Sequence, residues 1–221
     1  MTKPICIVSG AAGNLGEAVV SKLQEDFSVE ALVRKEKISS HLVKYHALDL
    51  TDETAVNAFV LQLTQTQKIK AAALIAGGFA TGDLANTSFG ELDKMLALNF
   101  KTAYSLIRPL YQHMQINGGG NIIVVGSKSG QQLETGGFAL AYSLSKAMLF
   151  NLAEVLNANR HVSKVTVHVI VPGTIDTPDN RSAMPDADVS KWVKPETLAD
   201  KILSLCLSAY QADDKTIHPF Y

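Results

Sequence analysis

Short apolar runs recur along this chain, and segments with helical periodicity separate them. Continuous apolar runs of this length are typical of parallel strands that helices cover on both faces. The alternation predicts an α/β fold with a doubly wound, mostly parallel sheet of six to seven strands flanked by helices, and with ligands at the carboxyl ends of the strands. The predicted strands are Ile5 to Val8, Val29 to Val33, a weaker Tyr45 to Leu48, Lys70 to Ile75, Ile122 to Val125 and Val165 to Val171.

The length and composition restrict the class of protein. With 221 residues, 47% of them hydrophobic and 19% charged, we predict one domain over residues 1–221. The net charge of −1 argues against nucleic acid. No apolar stretch approaches the roughly 20 residues of a membrane span, so we expect a small-molecule partner and no membrane. Cys6 and Cys206 fall in a predicted strand and a predicted helix, which favours inert thiols and a reducing, cytoplasmic setting. We assign no metal site.

A glycine-rich turn follows the first predicted strand and precedes a helix that begins near Glu17. Glycines in such a turn let the backbone approach a pyrophosphate and point amide groups at its negative charge. A tight turn without a ligand is the alternative, but the position at the start of the fold favours a Rossmann-type, dinucleotide-binding domain. The phosphate-binding candidates are Gly10, Ala12, Gly13, Asn14, Leu15 and Gly16.

The second strand ends in Arg34 and Lys35, where an enzyme that prefers NAD usually carries an acidic residue. Arg34 can form a bidentate pair with a 2′-phosphate and Lys35 adds charge, so we predict NADP(H) as the preferred cofactor and NAD(H) as the alternative. A solvated basic pair is the competing interpretation. Asp49 and Leu50 follow the third strand as further cofactor candidates. Asp49 either accepts a hydrogen bond from the adenine amino group, which we favour, or begins a turn.

Tyr142 and Lys146 stand four residues apart in a segment with helical character, so both side chains share one helix face. An ammonium group beside a phenol favours the ionised phenol, and the pair then makes a poised proton donor. Alone, this spacing is more often an ordinary amphipathic surface, and its meaning depends on the residues that accompany it.

Five features in this order resemble the short-chain dehydrogenase/reductase family: the glycine turn, Asn99, a serine after the fifth strand, Tyr142-x-x-x-Lys146 and Pro172-Gly173. The resemblance covers nearly the whole chain. It implies that Tyr142 is the general acid in hydride transfer and that Lys146 binds the nicotinamide ribose and lowers the pKa of Tyr142. It also implies that Asn99 holds a water linked to Lys146.

The catalytic serine is either Ser127 or Ser129. Alignment on Gly130 selects Ser127, whereas counting back from Tyr142 by the commoner family interval selects Ser129. We favour Ser127 because it lies nearer the end of the strand, where catalytic side chains gather. This choice implies two extra residues in the loop from Gln131 to Phe138.

The resemblance extends to the segments after the fourth and sixth strands. It assigns to cofactor binding Ala76, Gly77, Gly78, Pro172, Gly173, Thr174, Ile175 and Thr177. Residues about 176–194 are polar and follow a strand end, which favours a lid over the substrate.

Two departures from the family pattern affect these assignments. Paired asparagines are missing before Gly77, which leaves the bracing of the central strand in doubt. Thr216 to Tyr221 leaves little room for the usual last strand, so we expect a substrate-side wall that is incomplete or supplied by a neighbouring molecule.

Two segments also resemble the dihydropteridine reductase branch, one around Phe79 and one from Asp176 to Trp192. Phe79 and Trp192 are candidate aromatic walls for a flat heterocycle. That branch is generally associated with NADH and an acidic residue after the second strand, so Arg34 weakens the transfer of both cofactor and substrate.

The combined prediction is an NADP(H)-dependent reductase that acts on a carbonyl or quinonoid C=N group. Family resemblance adds a homodimer or homotetramer. The alternative is a dinucleotide-binding sensor without turnover, although a sensor has no need to keep Asn99, Ser127, Tyr142 and Lys146 together. The physiological substrate does not follow from the sequence.

Overall fold

The computed structural model describes residues 3–211 and 215–221, which contain seven strands. These are β1 (Ile5–Ser9), β2 (Ser28–Val33), β3 (Val43–Ala47), β4 (Ile69–Leu74), β5 (Gly120–Val125), β6 (Val165–Pro172) and β7 (Ile217–Phe220). They form one sheet in the order β3-β2-β1-β4-β5-β6-β7, and every neighbouring pair is parallel. This confirms the predicted doubly wound α/β fold, whose strand order reverses at β1 and β4.

Helices cover both faces of the sheet. In chain order they are α1 (Asn14–Leu23), α2 (Glu53–Thr64), α3 (Phe89–Leu96), α4 (Thr102–Ile116), α5 (Lys128–Gln131), α6 (Leu140–Asn157), α7 (Arg160–Ser163), α8 (Pro178–Ala183) and α9 (Pro195–Leu207). Helices α1 and α9 share one core with the sheet, and α2, α4 and α6 share the other. Within the described ranges, no helix combines the length and the apolar character that a membrane crossing requires.

The spacing of apolar residues decides which side of each element is buried. In α1, Leu15, Val19 and Leu23 recur at helical spacing, and all three are buried between the sheet and α9. Burying an aliphatic side chain of this size contributes about 1.5–3 kcal/mol. All eight residues of β6 are buried, and neighbours along this strand point into opposite cores: Val169 into one and Ile170 into the other. A strand covered on both faces therefore appears in the sequence as a continuous apolar run.

The last strand corrects the sequence analysis. Ile217–Phe220 forms β7 and pairs in parallel with β6, from Val169 opposite Ile217 to Pro172 opposite Phe220. The expectation of little room was wrong because four residues suffice for this edge strand. The strand carries the chain to the carboxyl edge of the sheet, beside Gly173, whose amide donates to the Phe220 carbonyl (2.9 Å).

The N-cap of α2 is Asp52. Its carboxylate accepts from the amides of Thr54 and Ala55 (both 3.0 Å). The Thr51 hydroxyl donates to Asp49 (2.7 Å). A carboxylate one residue nearer the helix reaches the unpaired amides of its first turn more directly.

The two thiols lie in the core that α1 and α9 form with the sheet. Cys6 and Cys206 are free and buried. Hydrogen bonding to Cys6 and burial raise the pKa of the Cys206 thiol well above its ordinary value. A thiol with so high a pKa carries little thiolate, which fits the prediction of inert core residues.

Candidate active site

The glycine turn joins β1 to α1 in close contact with the end of β4. Gly10 has φ +67°, and a Cβ at this position would lie 2.8 Å from the Ala76 amide nitrogen. Gly13 precedes α1 without a side-chain cap, and its amide donates to the Gly10 carbonyl (3.0 Å). Amide groups at the start of an uncapped helix are free to bind an anion. The turn thus has both the close approach and the donors that a phosphate site needs.

The end of β2 presents positive charge to solvent. Arg34 and Lys35 are exposed directly after this strand, and Lys37 forms an ion pair with Glu17 of α1 (2.9 Å). Asp49 accepts from the amide and the hydroxyl of Thr51 (2.9 and 2.7 Å), and these bonds lower the pKa of its carboxyl. The Asp49 carboxylate therefore stabilises a turn, which is the interpretation that the sequence favoured less. The role toward adenine stays a prediction.

The segment after β4 is braced by side chains from outside that strand. The Ser9 hydroxyl accepts from the amide of Ala76 (3.2 Å). Asn99 accepts from the Gly78 amide through Oδ1 (2.9 Å) and donates to the Gly78 carbonyl through Nδ2 (3.0 Å). The paired asparagines of the family are absent, but Ser9 and Asn99 supply hydrogen bonds to this segment in their place.

Asn99 reaches this position from a π-helical turn, Ala97–Lys101, between α3 and α4. Such turns are often found at functional sites because they redirect one side chain out of a regular helix. Asn99 is buried, and its Nδ2 also donates to Ser145 Oγ (3.0 Å). Ser145 in turn donates to the Tyr142 carbonyl (2.7 Å). Asn99 is thereby joined to the helix that carries Tyr142 and Lys146.

Lys146 is buried on α6, with its ammonium inside the protein. Its Nζ donates to the Val125 carbonyl at the end of β5 (2.7 Å) and lies 3.4 Å from where a Gly77 Cβ would stand. Burial lowers the pKa of Lys146 to about 8 because removal from water disfavours the charged form. The ammonium therefore faces the segment after β4, where the glycine turn also packs.

The phenol of Tyr142 lies between Ser127 and Phe79. Burial raises the pKa of Tyr142 above its ordinary value, and a hydrogen bond with Ser127 acts in the opposite direction. The Lys146 Nζ is 6.0 Å from the Tyr142 ring centroid. The expected lowering of the Tyr142 pKa by Lys146 is therefore wrong for this structure, because burial dominates and the ammonium binds Val125. The Phe79 ring packs edge-on against Tyr142 at 4.9 Å between centroids.

The two candidate serines occupy different surroundings. Ser127 is buried and caps α5, accepting from the Gly130 amide (2.9 Å), and it lies close enough to the Tyr142 phenol to oppose the rise of its pKa. Ser129 is partly exposed, with its Oγ 3.3 Å from Ser127 Oγ. The position near Tyr142 favours Ser127, which lies two residues after the end of β5.

The segment after β6 leaves the sheet and returns beside its own starting point. We call the hydrogen-bonded base where its two ends meet the neck. The Val193 amide donates to the Thr174 carbonyl (2.9 Å), and the Asp176 amide donates to the Val193 carbonyl (2.8 Å). Thr177 caps α8, while the Asp176 carboxylate accepts from Nε and Nη2 of Arg181 (2.6 and 2.9 Å). Asp176 is thus a partner of Arg181, and Thr177 is the cap.

The same segment contacts the glycine turn. Asn14 Nδ2 donates to Asp179 (2.9 Å), which joins the start of α1 to α8. A cleft of about 490 Å³ lies here, lined in part by Asn14, Thr177 and Arg181. The predicted phosphate-binding turn and the predicted lid therefore face one another across this cleft.

Sequence reasoning missed Ser9 and Ser145. Ser145 is fully buried in the interval between Tyr142 and Lys146, and a small polar side chain on the helix that carries both residues is the signal that could have identified it. Ser9 ends β1, where no sequence pattern distinguishes a bracing hydroxyl from a turn residue. Of the two proposed aromatic walls, Phe79 contacts Tyr142, whereas Trp192 follows the 3₁₀ turn Val189–Lys191 near the end of the segment 176–194.

Comparisons with known proteins agree with this arrangement. The family model for short chain dehydrogenases matches residues 4–188. An uncharacterised oxidoreductase of Staphylococcus aureus (strain MW2) is 24% identical over 213 residues, covering 92% of this chain and 90% of its own. The fold is similar to that of an oxidoreductase of the short chain dehydrogenase/reductase family from Burkholderia thailandensis, with TM-score 0.86, 23% identity, and 100% and 92% of the two chains covered. It is also similar to the structure of ElxO with NADP bound, with TM-score 0.87, 18% identity, and 99% and 97% covered. The chain is an oxidoreductase that belongs to the short-chain dehydrogenase/reductase family.

Proposed function

We propose that this protein catalyses NADP(H)-dependent hydride transfer to a carbonyl or quinonoid C=N group, with Tyr142 as general acid and base. The observation that carries the proposal is that Asn99 is joined through Ser145 to the helix that carries Tyr142 and Lys146, with Ser127 close enough to the Tyr142 phenol to oppose the rise of its pKa. All four residues lie at the carboxyl edge of a parallel sheet, where ligands of this fold class bind.

The residues around the glycine turn fit the phosphates of a dinucleotide. Gly10 packs on Ala76 so closely that no side chain fits, and α1 begins at Asn14 without a side-chain cap. Exposed Arg34 and Lys35 suit a 2′-phosphate, because guanidinium and phosphate groups pair in a bidentate geometry. The similarity in fold to ElxO, whose structure holds NADP, supports the same choice. When bound, the nicotinamide supplies or accepts the hydride.

The residues of the chain deliver the proton. A raised pKa keeps the phenol of Tyr142 protonated at neutral pH, so it is ready to donate to the oxygen or nitrogen of the substrate. We assign Ser127, which lies near that phenol, to hold the same substrate atom. With a pKa of about 8, Lys146 is mostly charged at pH 7, and we assign its ammonium to the nicotinamide ribose.

We propose that residues 176–194 act as a lid over the bound substrate within a single catalytic domain. The neck at Thr174, Asp176 and Val193 gives this segment two fixed ends. The hydrogen bond between Asn14 and Asp179 holds this segment against the glycine turn. A segment that is pinned at its neck and held elsewhere by exposed polar contacts can open and close with little loss of buried surface.

A non-catalytic dinucleotide sensor is the less favoured function. Binding of the cofactor phosphates gives no reason to bury the ammonium of Lys146, since burial of a charge opposes folding. The nearness of Ser127 to the Tyr142 phenol likewise suits proton transfer and contributes nothing to cofactor phosphates.

Assembly as a homodimer or homotetramer belongs to the same proposal. Leu144, Met148 and Val155 are exposed on one side of α6, and Tyr104 is exposed on α4. Apolar side chains four and seven residues apart form one helical stripe, which a second copy of the chain would cover. The cytoplasmic location stays a prediction from the sequence.

The substitution Tyr142→Phe tests the proposed function. It removes the proton donor and keeps the ring, so we expect kcat to fall by about 10²–10⁴ while the Kd for NADPH changes little. Oxidation of NADPH and NADH is followed with aldehydes, ketones, quinones and quinonoid dihydropterin. The control is Tyr104→Phe, which removes a hydroxyl from the exposed surface of α4. A Tyr142→Phe variant that retains wild-type turnover would refute the assignment of Tyr142 as the proton donor.

A further inference from the structure

Tyr221 follows β7 and lies on top of the turn that begins at Ser127. Its phenol donates to Gln131 Oε1 (3.0 Å) and accepts from Gln132 Nε2 (3.3 Å). The Lys128 ammonium stands 4.8 Å from the centroid of its ring. Three neighbours of Ser127 along the chain therefore hold this one side chain.

The backbone of Tyr221 also borders the segment that follows β6. A Cβ on Gly173 would lie 3.2 Å from the Cβ of Tyr221, and the Gly173 amide donates to the carbonyl of Phe220. Tyr221 thus stands between two connections at the carboxyl edge, one carrying Ser127 and the other carrying the proposed cofactor residue Gly173. A residue in this place borders the substrate side of the site.

The Tyr221 ring keeps a free surface despite these contacts. The residue is 51% exposed, although its hydroxyl is hydrogen-bonded and one side of the ring meets Lys128. Phe79, which packs on Tyr142, is 61% exposed. Phe79 packs on Tyr142, and Tyr221 packs on Lys128, which follows Ser127 in the chain. Both aromatic rings therefore keep uncovered area, one beside Tyr142 and the other beside the turn that begins at Ser127.

The other connections at this edge also expose apolar side chains. The exposed large apolar residues on them are Phe79 and Leu84 after β4, Leu133 and Phe138 after β5, and Met184 after β6. The bridge between Gly82 and Ala139 joins the first two of these connections. Monomeric surfaces rarely gather apolar side chains in this way except at binding sites.

We propose that Tyr221 is a specificity-determining residue whose ring forms one wall of the substrate pocket and selects a planar, largely apolar substrate. An aromatic carbonyl, a quinone or a bicyclic heterocycle fits this wall, because such rings stack or meet edge-on with a tyrosine. The hydrogen bonds to Gln131 and Gln132 fix the ring orientation and so reduce the entropy lost when substrate binds. This inference rests on the proposed function and deepens it.

The test compares Tyr221→Ala with Tyr221→Phe in the full chain. Phenanthrenequinone serves as the planar substrate and butanal as the small aliphatic one, with NADPH as reductant. We expect Tyr221→Ala to raise KM for phenanthrenequinone about tenfold with kcat nearly unchanged, because a wall binds substrate and transition state alike. Tyr221→Phe keeps the ring, so KM should change less than about twofold, and KM for butanal and Kd for NADPH should stay constant in both variants.

The matched control is Tyr210→Ala, which removes another tyrosine ring that has a lysine over it, Lys164 at 4.6 Å. Tyr210 lies between α9 and β7, at the opposite edge of the sheet, so its loss should leave KM for phenanthrenequinone unchanged. The wall is overturned if Tyr221→Ala and Tyr221→Phe behave alike, or if KM rises equally for both substrates.

Calorimetric binding of phenanthrenequinone to the NADP⁺-loaded protein separates the failure of this inference from the failure of the proposed function. Equal affinity of the wild type and Tyr221→Ala overturns the wall, whether or not the enzyme turns over. Weaker binding to Tyr221→Ala supports the wall, and a wild type that binds the quinone without oxidising NADPH then overturns the proposed function alone.

Discussion

The buried ammonium of Lys146 connects stability to function at the scale of one residue. The Val125 carbonyl accepts its hydrogen bond, and burial lowers its pKa to about 8. A charge removed from water raises the free energy of the folded chain unless partners compensate for it. The residue that we propose to serve Tyr142 and the cofactor therefore reduces the stability of the fold, as functional residues often do.

The pH dependence of stability measures this cost. A lysine pKa that is lowered in the folded state means that the unfolded chain binds more protons between about pH 8 and pH 10.5, so stability rises with pH across this window. Relative to Lys146→Met, we expect the wild type to gain about 2 kcal/mol between pH 7 and pH 10. Urea denaturation at both pH values gives the difference.

The control for this experiment is Lys70→Met. Lys70 also donates to backbone carbonyls, those of Asn117 and Gly119, but it is only partly buried. If the difference in unfolding free energy between the wild type and Lys146→Met is the same at pH 7 and at pH 10, that result would contradict a lowered pKa of Lys146.

Arg34 is the residue proposed to distinguish the two nicotinamide cofactors. Arg34→Asp replaces a phosphate partner by a carboxylate that repels the 2′-phosphate and accepts from ribose hydroxyls. We expect the ratio of kcat/KM for NADPH to that for NADH to fall about 100-fold, which corresponds to loss of a charge-assisted, bidentate pair. Lys68→Asp makes the same charge change just before β4, at the amino edge of the sheet, and should leave the ratio unaltered. An unchanged ratio in Arg34→Asp would refute the phosphate role.

At the scale of elements, a histidine pair joins β7 to β6. His168 is buried on β6, and its Nδ1 is 3.2 Å from Nε2 of His218 on β7. Burial, the neighbouring His168 and the nearby charges of Lys201 and Lys215 lower the pKa of His218 to about 4. The short last strand, which precedes Tyr221, therefore depends on a neutral imidazole.

Acid should weaken the attachment of β7. Because the pKa of His218 is lower in the folded chain than in the unfolded one, the unfolded state gains the extra proton as pH falls below about 6.5, and stability decreases from there toward pH 4. His218 is half-buried, so we expect about 1 kcal/mol of this loss between pH 7 and pH 5. The variant His218→Gln should lose correspondingly less over that range, and His41→Gln, at an exposed position, should match the wild type. Thermal unfolding at the two pH values decides between these outcomes.

At the scale of the whole molecule, the exposed side of α6 is the surface that a monomer explains least well. Val155 is 68% exposed, and Leu144 and Met148 lie on the same side of the helix. The opposite side of α6 carries Lys146 into the site. Contact with a second copy would therefore support the helix that positions the proposed proton donor.

Met148→Glu tests this assembly. A carboxylate in a helix-to-helix interface lacks a partner there, and we expect the complex to dissociate at protein concentrations where the wild type stays associated. Sedimentation velocity measures the change. Leu61→Glu places the same charge on an exposed apolar position of α2 and should not alter the sedimentation coefficient. A wild type that sediments as a monomer at all concentrations would refute the interface.

Local patterns predicted much of the site because its parts are encoded by near neighbours in the chain. The strand, turn and helix around Gly10 and the spacing of Tyr142 and Lys146 each extend over a few residues. Helical and strand periodicities act over the same distance. The α/β alternation, the family and most of the sheet could therefore be derived from the sequence, although the last four-residue strand was too short to give a pattern.

Contacts between residues far apart in the sequence could not be predicted from such local patterns. Ser9 braces Ala76 and Asn99 braces Gly78, although the family's paired asparagines are absent. The pKa of Tyr142 rises with burial, against the expected effect of Lys146. Each of these depends on which strand ends lie side by side and how much water remains there.

The sequence by itself determined the doubly wound fold, the family and the identity of the candidate proton donor, because residue periodicity and motif spacing are properties of the chain. The tertiary structure alone decided that Ser127 lies near Tyr142, that Lys146 is buried against Val125, and that Tyr221 rests on the turn after Ser127. The physical reason is the strand order. It places β5, β6 and β7 side by side and so brings together side chains up to about ninety positions apart.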